Sequence, residues 1–461
     1  MGGGLLQLVA YGAQDVYLTG NPQITFFKVV YRRHTNFAME AIQQTFSGIP
    51  NFGNTVYCQI SRNGDLINRA YLEVTLPKMT NSDVYVNYIG LRLLKSVSIE
   101  IGGQQIDKHY SDWLYIWNEL SLPIGKRYAW EQMVGADQDI TSDTTQSSTL
   151  FIPLEFWFCR TIGLALPLIA LQYHEVKLKI EFESHANCIY KAVNPVVDAE
   201  STYSLTKANL WVDYIFLDTD ERRKFAQLSH EYLIEQLQFT GSETLSTGTS
   251  ATSTRYKLNF NHPCKELVWV AKYANSTTTR QHWYNYTVKA DGSFLATNEK
   301  PSLLGTPVTF ASPGFTDVDQ DIAASSNATA SDNDLFIKKL VYNVEPGFHA
   351  NATNPFDKCL LQLNGNDRFA QRDGSYFNYV QAYQHHTNIP ANQGINVYSF
   401  ALKPEEHQPS GTLNMSRIDT AVLAVDTKTS TGTLTGVINI YATNYNVLRI
   451  LSGMGGLAYS N

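Results

Sequence analysis

The sequence predicts an all-β protein built from two tandem eight-stranded jelly-roll β-sandwiches, a double jelly roll, with short connecting helices. Three observations indicate this fold. About eight short strand patterns occur in each half of the 461 residues, and they do not alternate with helices as in a parallel α/β sheet. Aromatic residues make up 12% of the chain and charged residues only 17%, a balance that favours strands over surface helices. The same order of elements also occurs twice.

The first half contains a regular series of strand patterns. The clearest is residues 174–184, in which apolar and charged side chains alternate strictly, so that one face of the strand is expected to be buried. A Trp- and Tyr-rich helix is predicted at 111–120, and Asn63-Gly64-Asp65 has the composition of a hairpin-like turn. The other predicted strands are 26–33, 37–46, 56–60, 70–76, 96–101, 151–158 and 208–217.

A charged helical turn is predicted near the midpoint of the chain, between strand patterns at 211–217 and 232–239. Asp218 has the position of an N-cap, Glu221 follows three residues later, and Arg222-Arg223-Lys224 comes next. The segment is either a joint between two β domains or an ordinary strand–helix–strand excursion within one domain.

The second half repeats the strand pattern around a long polar region. Its predicted strands are 256–259, 266–270, 359–363, 397–402, 420–426 and 437–442. Ser, Thr, Asn, Asp, Gly and Ala dominate residues 273–351, which are therefore expected to form a long external loop. The tail, 452–461, is small and loop-like in composition.

Three segments recur in the same order in both halves, which favours the joint over the excursion. Asn444 and Arg449 take the places of Asp218 and Arg223 in the third match, and so predict a second cap. The matched segments are 43–48 with 236–241, 99–103 with 361–365, and 212–225 with 438–451. The predicted organisation is an N-terminal arm (1–25), a first jelly roll (26–217), an inter-domain linker (218–229), a second jelly roll (230–451) and a C-terminal tail (452–461).

Charge and cysteine content exclude several classes of function. The net charge is −7 and there is no strong basic cluster, so direct nucleic acid binding is not expected. The five cysteines are odd in number and widely spaced, which argues against zinc or a disulfide framework and favours a reducing compartment. Neither a signal peptide nor a membrane-spanning segment is expected.

No catalytic, cofactor-binding or metal-binding residues are assigned. Glu405-Glu406 are adjacent, and the acids of the predicted helical turn are explained by capping, so neither set predicts glycoside hydrolysis. His385-His386 lacks the spacing of a cupin-like metal site. The acids Asp317, Asp319 and Asp321 have the spacing of the first ligands of a calcium loop but lack the rest of that motif. The glycines Gly453, Gly455 and Gly456 do not lie between a strand and a helix, as a phosphate-binding loop requires.

Asparagine sequons give one set of candidate modification sites. Asn275, Asn285, Asn327 and Asn351 lie in or beside the polar region, where an attached sugar could project into solvent. The alternative is that a loop rich in Ser, Thr and Asn generates such sequons by chance. Asn414 lies between predicted strands and is taken to be incidental.

Long blocks of the sequence resemble the major capsid proteins of nucleocytoplasmic large DNA viruses, of the type found in viruses of chlorella and other algae. The resemblance covers the framework of nearly the whole chain but not most of 273–354 or part of 81–147. The blocks that carry it include QDVYLTGNPQITFFKVVYRRHTNF (14–37), ISRNGDLI (60–67), IGGQQIDKHYSDW (101–113), GLALPLIALQYHEVKL (163–178), FAQLSHEYLIEQLQFTGSE (225–243), QPSGTLNMSRID (408–419) and NIYATNYNVLRILSGMGGLAYSN (439–461).

This resemblance implies a homotrimer shaped as a pseudo-hexamer, which contacts neighbouring capsomers and tiles the icosahedral outer capsid of the virion. It also implies contacts with minor capsid and penton proteins, an internal viral membrane beneath the shell, and assembly in the host cytoplasm. Algal members of the family glycosylate asparagines outside the usual sequon. Because the segment around Asp218 would then join two such domains, Asp218→Ala is expected to loosen domain docking and to weaken the trimer.

A carbohydrate-binding or carbohydrate-cleaving β-sandwich protein is the alternative from another class. The lack of a recognisable signal peptide, the odd number of cysteines and the absence of separable carboxylates in the sequence disfavour it.

Overall fold

The structure, a computed structural model, describes residues 10, 12–22, 29, 31, 33–78, 84–136, 148–190, 203–247, 253–274, 283–289, 352–428 and 434–459. Residues 38–461 form one compact unit and residues 1–37 another. Most of the predicted strand 26–33 and most of the polar region 273–351 lie outside the described residues. None of the helices in the described ranges has the length and apolar composition needed to cross a lipid bilayer.

The N-terminal unit contains a short helix, α1 (Val16–Thr19). Asp15 organises its first turn, because the amide of Gly12 donates to Asp15 Oδ2 at 2.8 Å and the hydroxyl of Thr19 donates to the Asp15 carbonyl at 2.9 Å.

The first jelly roll consists of two facing antiparallel sheets. One has the strand order β1-β11-β3-β7, with β8 also paired to β3, and the other has the order β2-β9-β5-β6; β4 and β10 form a separate small pair. The strands are β1 (Phe37–Gln44), β2 (Thr55–Gln59), β3 (Leu66–Thr75), β4 (Val84–Tyr85), β5 (Leu94–Ile101), β6 (Gln104–Tyr110), β7 (Thr149–Pro153), β8 (Leu166–Pro167), β9 (Val176–Phe182), β10 (Ile189–Tyr190) and β11 (Lys207–Leu217).

The second jelly roll repeats this order. Its sheets run β12-β24-β15-β21 and β14-β23-β18-β19, and the short strands β13, β20, β22 and β25 extend them. The strands are β12 (His230–Phe239), β13 (Glu243–Thr247), β14 (Ser253–Leu258), β15 (Pro263–Tyr273), β16 (Val288–Lys289), β17 (Ala352–Thr353), β18 (Phe356–Leu363), β19 (Asn366–Asp367), β20 (Arg372–Asp373), β21 (Asn396–Ser399), β22 (Leu413–Asn414), β23 (Ala421–Thr427), β24 (Leu434–Leu451) and β25 (Met454–Leu457). The predicted double jelly roll is thus confirmed.

Short helices connect the strands. The α-helices after α1 are α2 (Ile89–Leu93), α3 (Ser111–Ser121), α4 (Ile124–Val134), α5 (Trp157–Arg160), α6 (Thr219–Gln227) and α7 (Gln381–His385). Single turns of 3-10 helix lie at Ile162–Leu164, His185–Asn187 and Met415–Arg417, and a π-helical segment at Tyr376–Val380 precedes α7.

Alternation of side chains between core and surface explains the sandwich. In β9 every second residue from Val176 to Phe182 is buried, and the residues between them are partly exposed, as the sequence pattern predicts. The central strand β15 is buried along almost its whole length, because it lies inside its sheet and also faces the first jelly roll.

Two of the three repeated segments mark equivalent turns. The hairpin after β5 turns through Gly102 and Gly103 with φ of 59° and 82°, and the hairpin after β18 turns through Asn364 and Gly365 with φ of 51° and 76°. Consecutive positive φ values are those of a type I′ turn, which Gly and Asn tolerate best. Gly48 and Gly241, which follow β1 and β12, share φ values of 106° and 112°.

The third repeated segment has different structures in the two halves of the chain. Residues 438–451 contain no second capped helix, because Asn444 lies within the continuous strand β24 and pairs with Gln236 of β12. The cap prediction at Asn444 is therefore wrong. Cross-strand hydrogen bonds pair the backbone groups of Asn444 with β12. Residues 219–227, in contrast, lie beyond the end of β11 and form the helix α6.

Three other predictions also need correction. Asn63-Gly64-Asp65 is not a hairpin turn, because β2 and β3 belong to opposite sheets and the turn crosses between them. The predicted strand 151–158 ends at Pro153 and gives way to α5. The tail is not simply loop, since Met454–Leu457 forms β25 against β24.

Candidate functional site

A set of buried polar contacts lies at the junction between the two jelly rolls, where β6 faces β12. The side-chain amide of Gln236 donates to the carbonyl of Ile106, and the backbone N–H of Leu237 donates to Asp107 Oδ1 at 3.1 Å. Asp107 Oδ2 lies 3.0 Å from Nε2 of His109, and both side chains are buried. Two edge strands from different sheets are thus joined through side chains rather than by a continuous ladder.

Beside this seam, Glu235 lies between cations from both jelly rolls. Its Oε2 is 3.1 Å from Arg160 of the first jelly roll, and its Oε1 is 2.7 Å from the ammonium of Lys265 in the second. Burial opposes ionisation of Glu235, but His407 at 3.5 Å, Lys265 and Arg160 outweigh burial and lower its pKa to about 2. Glu235 is therefore a carboxylate that holds the two halves together.

A second ion pair crosses the junction between α3 and β15. The ammonium of Lys272 contacts both carboxylate oxygens of Asp112, at 2.7 and 2.8 Å, and the hydroxyl of Tyr286 donates to the same carboxylate at 3.0 Å. Ser111 and Tyr284 share a 2.6 Å hydrogen bond nearby, and the guanidinium of Arg92 lies 3.7 Å from the Trp283 ring centre. Residues 283–288 therefore link the first jelly roll to the second.

His386 and Glu405, which the sequence places apart in two uninformative pairs, meet beside Glu266 of β15. Nε2 of His386 lies 3.0 Å from Glu266, and its Nδ1 lies 2.9 Å from Glu405. Burial disfavours the imidazolium, but the charge of Glu266 and the contact with Glu405 raise the pKa of His386 to about 9. Burial likewise opposes ionisation of Glu266, and the charge of His386 lowers its pKa nonetheless. This is a buried structural ion triad, and the described residues contain no cluster suited to a metal ion.

The helix α6 connects β11 to β12 at the position of the predicted joint, and a residue other than Asp218 anchors it. Asp218 occupies the N-cap position of α6, yet its side chain makes no capping hydrogen bond. Asp65 from the inter-sheet turn accepts instead from the backbone N–H of Leu217 at 2.9 Å, and it pairs with Arg222 of α6 at 2.9 Å. The prediction that the Asp218 side chain stabilises the joint is therefore replaced by a role for Asp65, which is only 4% exposed.

The C-terminal strand β25 also bridges the two jelly rolls. The amide of Gly455 donates to Nδ1 of His174 at 3.1 Å, and the amide of Leu457 donates to Gln104 at 3.2 Å. In addition, Tyr173 donates its amide to the Gly453 carbonyl at 2.9 Å. The glycines of this segment therefore allow close packing of a strand and do not form a phosphate-binding loop.

Of the candidate glycosylation sites, only Asn285 lies within the described residues; Asn275, Asn327 and Asn351 lie outside them, as do Asp317, Asp319 and Asp321. Asn285 is half-buried, and its Oδ1 accepts from the amide and the hydroxyl of Thr287 at 3.0 and 2.8 Å. At the incidental sequon, Asn414 Oδ1 accepts from the amide of Ser416 and caps a 3-10 turn.

Sequence reasoning missed most of the junction residues. One usable signal was present, because β15 reads as an apolar run interrupted by Lys265, Glu266 and Lys272. Charged residues inside an otherwise buried strand predict buried ion pairs. No local pattern identifies Asp65, Asp112 or Glu235, since their partners are distant in sequence.

Two family models match the chain. The one described as "Major capsid protein N-terminus" matches residues 25–218, and the one described as "Large eukaryotic DNA virus major capsid protein" matches residues 221–456. The major capsid protein of Phaeocystis pouchetii virus is 47% identical, and that of Paramecium bursaria Chlorella virus 1 is 46% identical, each over 100% of both chains.

Solved structures show the same similarity. A quasi-atomic model of the PBCV-1 virus capsid matches with a TM-score of 0.74 and 39% identity, covering 95% of this chain and 100% of that one. The Faustovirus major capsid protein matches with a TM-score of 0.65 at 14% identity, over 96% of this chain and 94% of that one, and so supports the fold alone.

Proposed function

The chain belongs to the family of large eukaryotic DNA virus major capsid proteins, and we propose that three copies of it form a pseudo-hexameric homotrimer that tiles an icosahedral shell. As a member of this family, it is a structural component of the virion and contacts neighbouring capsomers. The comparisons give no support to the alternative of a carbohydrate-binding or carbohydrate-cleaving protein.

One observation carries the trimer proposal. Each chain contains two jelly rolls with the same strand order, joined through a buried polar seam. Three such chains would supply six similar blocks, which is the number a hexagonal capsomer needs. An obligate interface of this kind is expected to bury more than about 2,000 Å².

The mass of the particle in solution tests this proposal. Light scattering on the purified chain is expected to give a stable species of three times 51.8 kDa, about 155 kDa. A monomer that remains stable at high concentration would contradict the trimer, and sugar binding by such a monomer would restore the carbohydrate alternative.

The role proposed for the chain is structural and not enzymatic. The acids that come closest to pairing in the sequence have structural partners, since Glu405 contacts His386 and Glu406 contacts Lys403. The relatives named above are likewise capsid proteins. When the purified trimer is incubated with oligosaccharides, no cleavage of the oligosaccharides is expected.

Assembly in the host cytoplasm is the proposed setting. All five cysteines are free thiols, and burial raises the pKa of Cys58, Cys159 and Cys188 to about 12, which keeps these thiols protonated and unreactive. Such a chain needs no oxidising compartment to fold. The proposed partners are minor capsid and penton proteins and the internal viral membrane, without direct binding to nucleic acid.

The N-terminal arm is proposed to lie on the inner side of the shell, near minor capsid proteins or membrane, because its sequence is small and mostly uncharged. Deleting residues 2–20 is expected to weaken minor-protein binding or shell assembly while leaving the trimer intact. Unchanged assembly and binding would contradict this role.

N-linked glycosylation at Asn275, Asn285, Asn327 and Asn351 also remains a proposal. The polar composition around Asn275, Asn327 and Asn351 supports an external position, whereas Asn285 is half-buried between the buried rings of Tyr284 and Tyr286. Glycopeptide mass spectrometry of virions is expected to find sugar on these asparagines. A site is ruled out if the peptide that contains it is found only in unmodified form.

A further inference from the structure

The two jelly rolls use different sheet edges at their junction. Each of these edges has an equivalent edge in the other jelly roll. The first jelly roll contributes β6, the outer strand of the sheet β2-β9-β5-β6. The second contributes β12, the outer strand of the sheet β12-β24-β15-β21. The equivalent of β12 in the first jelly roll is β1, and the equivalent of β6 in the second is the edge segment 366–373, which contains β19 and β20.

The burial of these equivalent edges differs sharply. In β12, Ile234, Glu235 and Gln236 are buried by the junction, and in β6 Ile106, Asp107 and His109 are buried. In β1, by contrast, every residue from 38 to 41 is exposed, and Met39 remains 44% exposed. The edge segment 366–373 is exposed along its length except at the half-buried Phe369.

We propose that β1 of one copy packs against the edge segment 366–373 of a second copy of this chain, in a head-to-tail contact that repeats the internal junction. A head-to-tail contact closes into a ring when the rotation between copies permits it. With two blocks per chain, three copies would then contain three internal junctions and three equivalent junctions between chains. This inference rests on the proposed homotrimer and specifies its interface.

Residue equivalence supports the pairing. The repeat places Gln43 where the second jelly roll has Gln236, whose side chain donates to the Ile106 carbonyl. The hairpin repeat places Arg368 at the position of Ile106. Gln43 of one copy is therefore expected to reach the main chain at Arg368 of the next.

The charges of the two exposed edges are also complementary. Glu40 is the charged residue of β1. On the edge segment, Asp367 accepts from Gln362 at 2.7 Å and Asp373 accepts from the amide of Ser375 at 2.8 Å, so the two carboxylates are engaged within their own loop. The guanidinium of Arg372 lies over the Tyr376 ring at 4.2 Å. This leaves the guanidinium of Arg368 as the charge that would face Glu40 across the interface.

Disulfide trapping tests the interface. Gln43→Cys combined with Arg368→Cys should give, under mild oxidation, chains linked into dimers and closed trimers on a non-reducing gel. The matched control combines Gln43→Cys with Lys257→Cys, an exposed position on β14 at the opposite sheet edge, and should remain monomeric on the gel. Either single variant should also give monomers.

The outcomes separate this inference from the proposed function. If light scattering gives the trimer mass but the Gln43/Arg368 pair links no better than the control, the interface is wrong and the trimer stands. A wild-type chain that never trimerises overturns both. Linked ladders longer than trimers would place the contact between capsomers and overturn the closed ring.

Hydrogen exchange on the wild type provides a measurement without substitutions. The amides of residues 38–43 and 366–372 that are not bonded to the neighbouring strands β11 and β18 should exchange slowly in the trimer and at least tenfold faster in chains dissociated by dilution. Fast exchange of both segments within the trimer would overturn the interface. Equal protection of these unbonded amides in the isolated chain would show that another part of the same chain covers the free edge of β1, which also overturns the interface.

Discussion

At the scale of single residues, the junction depends on carboxylates that each meet more than one cationic or hydrogen-bonding partner. Glu235 contacts Arg160 and Lys265, and Asp112 contacts Lys272 and Tyr286. A buried charge without a partner is strongly unfavourable, so removing one partner costs more than the pair contributes when intact. The same residues make docking of the two jelly rolls specific, since only one relative position satisfies all of them.

Replacing Lys265 by methionine should lower the free energy of unfolding by about 3 kcal/mol, because it leaves the buried carboxylate of Glu235 short of a partner. Lys265 is only 1% exposed. Lys403→Met is the matched control, since Lys403 pairs with Glu406 on the surface and its loss should cause no measurable change. Urea denaturation measures both variants, and equal stability of the two would contradict the role of Lys265.

Stability should depend on pH at both ends of the range. The pKa of Glu235 falls from 4.5 to about 2 and that of Glu266 is also lowered, so their contribution is complete above pH 4.5 and is lost as pH falls towards 2. The pKa of His386 rises from 6.5 to about 9, so its contribution is complete below pH 6.5 and is lost as pH rises through 9. Denaturant titrations across this range should give a maximum between about pH 4.5 and 6.5. A His386→Gln variant that retains the full alkaline loss would contradict this assignment.

At the scale of secondary-structure elements, turns and chain ends connect the sheets. The turn that contains Asp65 crosses from β2 in one sheet to β3 in the other and also holds the start of α6. The strand β25 pairs with β24 in the second jelly roll while its amides reach Gln104 and His174 of the first. Both elements therefore contact residues that are far from them in the sequence.

Asp65→Ala should destabilise the protein by about 1–3 kcal/mol, because the partly buried N–H of Leu217 loses its acceptor. Asp218→Ala should cost less than about 1 kcal/mol, since only an interaction with the helix dipole is lost. Thermal unfolding of the two variants checks the order of these effects. A larger loss for Asp218→Ala would restore the earlier assignment of the joint to that residue.

Gly455→Ala should destabilise the protein by about 1–3 kcal/mol, because the added Cβ would lie 2.6 Å from the buried Leu171 side chain. Gly456→Ala, one residue further along the same strand, meets only the flexible end of Gln104 at 3.3 Å and should be tolerated. Limited proteolysis of the C-terminal segment together with calorimetry measures the difference. Similar behaviour of both variants would show that β25 can shift without cost.

At the scale of the whole molecule, two copies of one strand order form a single compact unit in which each jelly roll covers a different edge of the other. The core therefore extends across the junction: Ile234, Val268 and Tyr441 of the second jelly roll belong to the main hydrophobic cluster of the first. The two jelly rolls are accordingly expected to unfold together.

The thermal midpoint of the whole protein should not change when a reductant is added, because all five cysteines are free thiols. Scanning calorimetry with and without a thiol reductant measures this directly. A midpoint that falls by several degrees in reductant would reveal a stabilising disulfide and would argue against assembly in a reducing compartment.

The sequence by itself determined the local elements and their repetition. Alternation in β9, the Gly-Gly and Asn-Gly turns of the I′ hairpins and the helix at the midpoint each depend on neighbours within a few residues, and each is present in the structure. The order of strands followed from their repetition. The sequence also contained the charges of β15 that indicate buried ion pairs.

Only the tertiary structure decided which residues hold the halves together. Asp65 and Arg222 are more than 150 residues apart, as are Asp112 and Lys272, so no local period reports their contact. For the same reason the sequence matched Asn444 to Asp218, although one residue lies inside a paired strand and the other begins a helix. Local chemistry determines whether a segment can form a strand or a helix, while the partner brought from elsewhere in the chain determines which polar groups are satisfied.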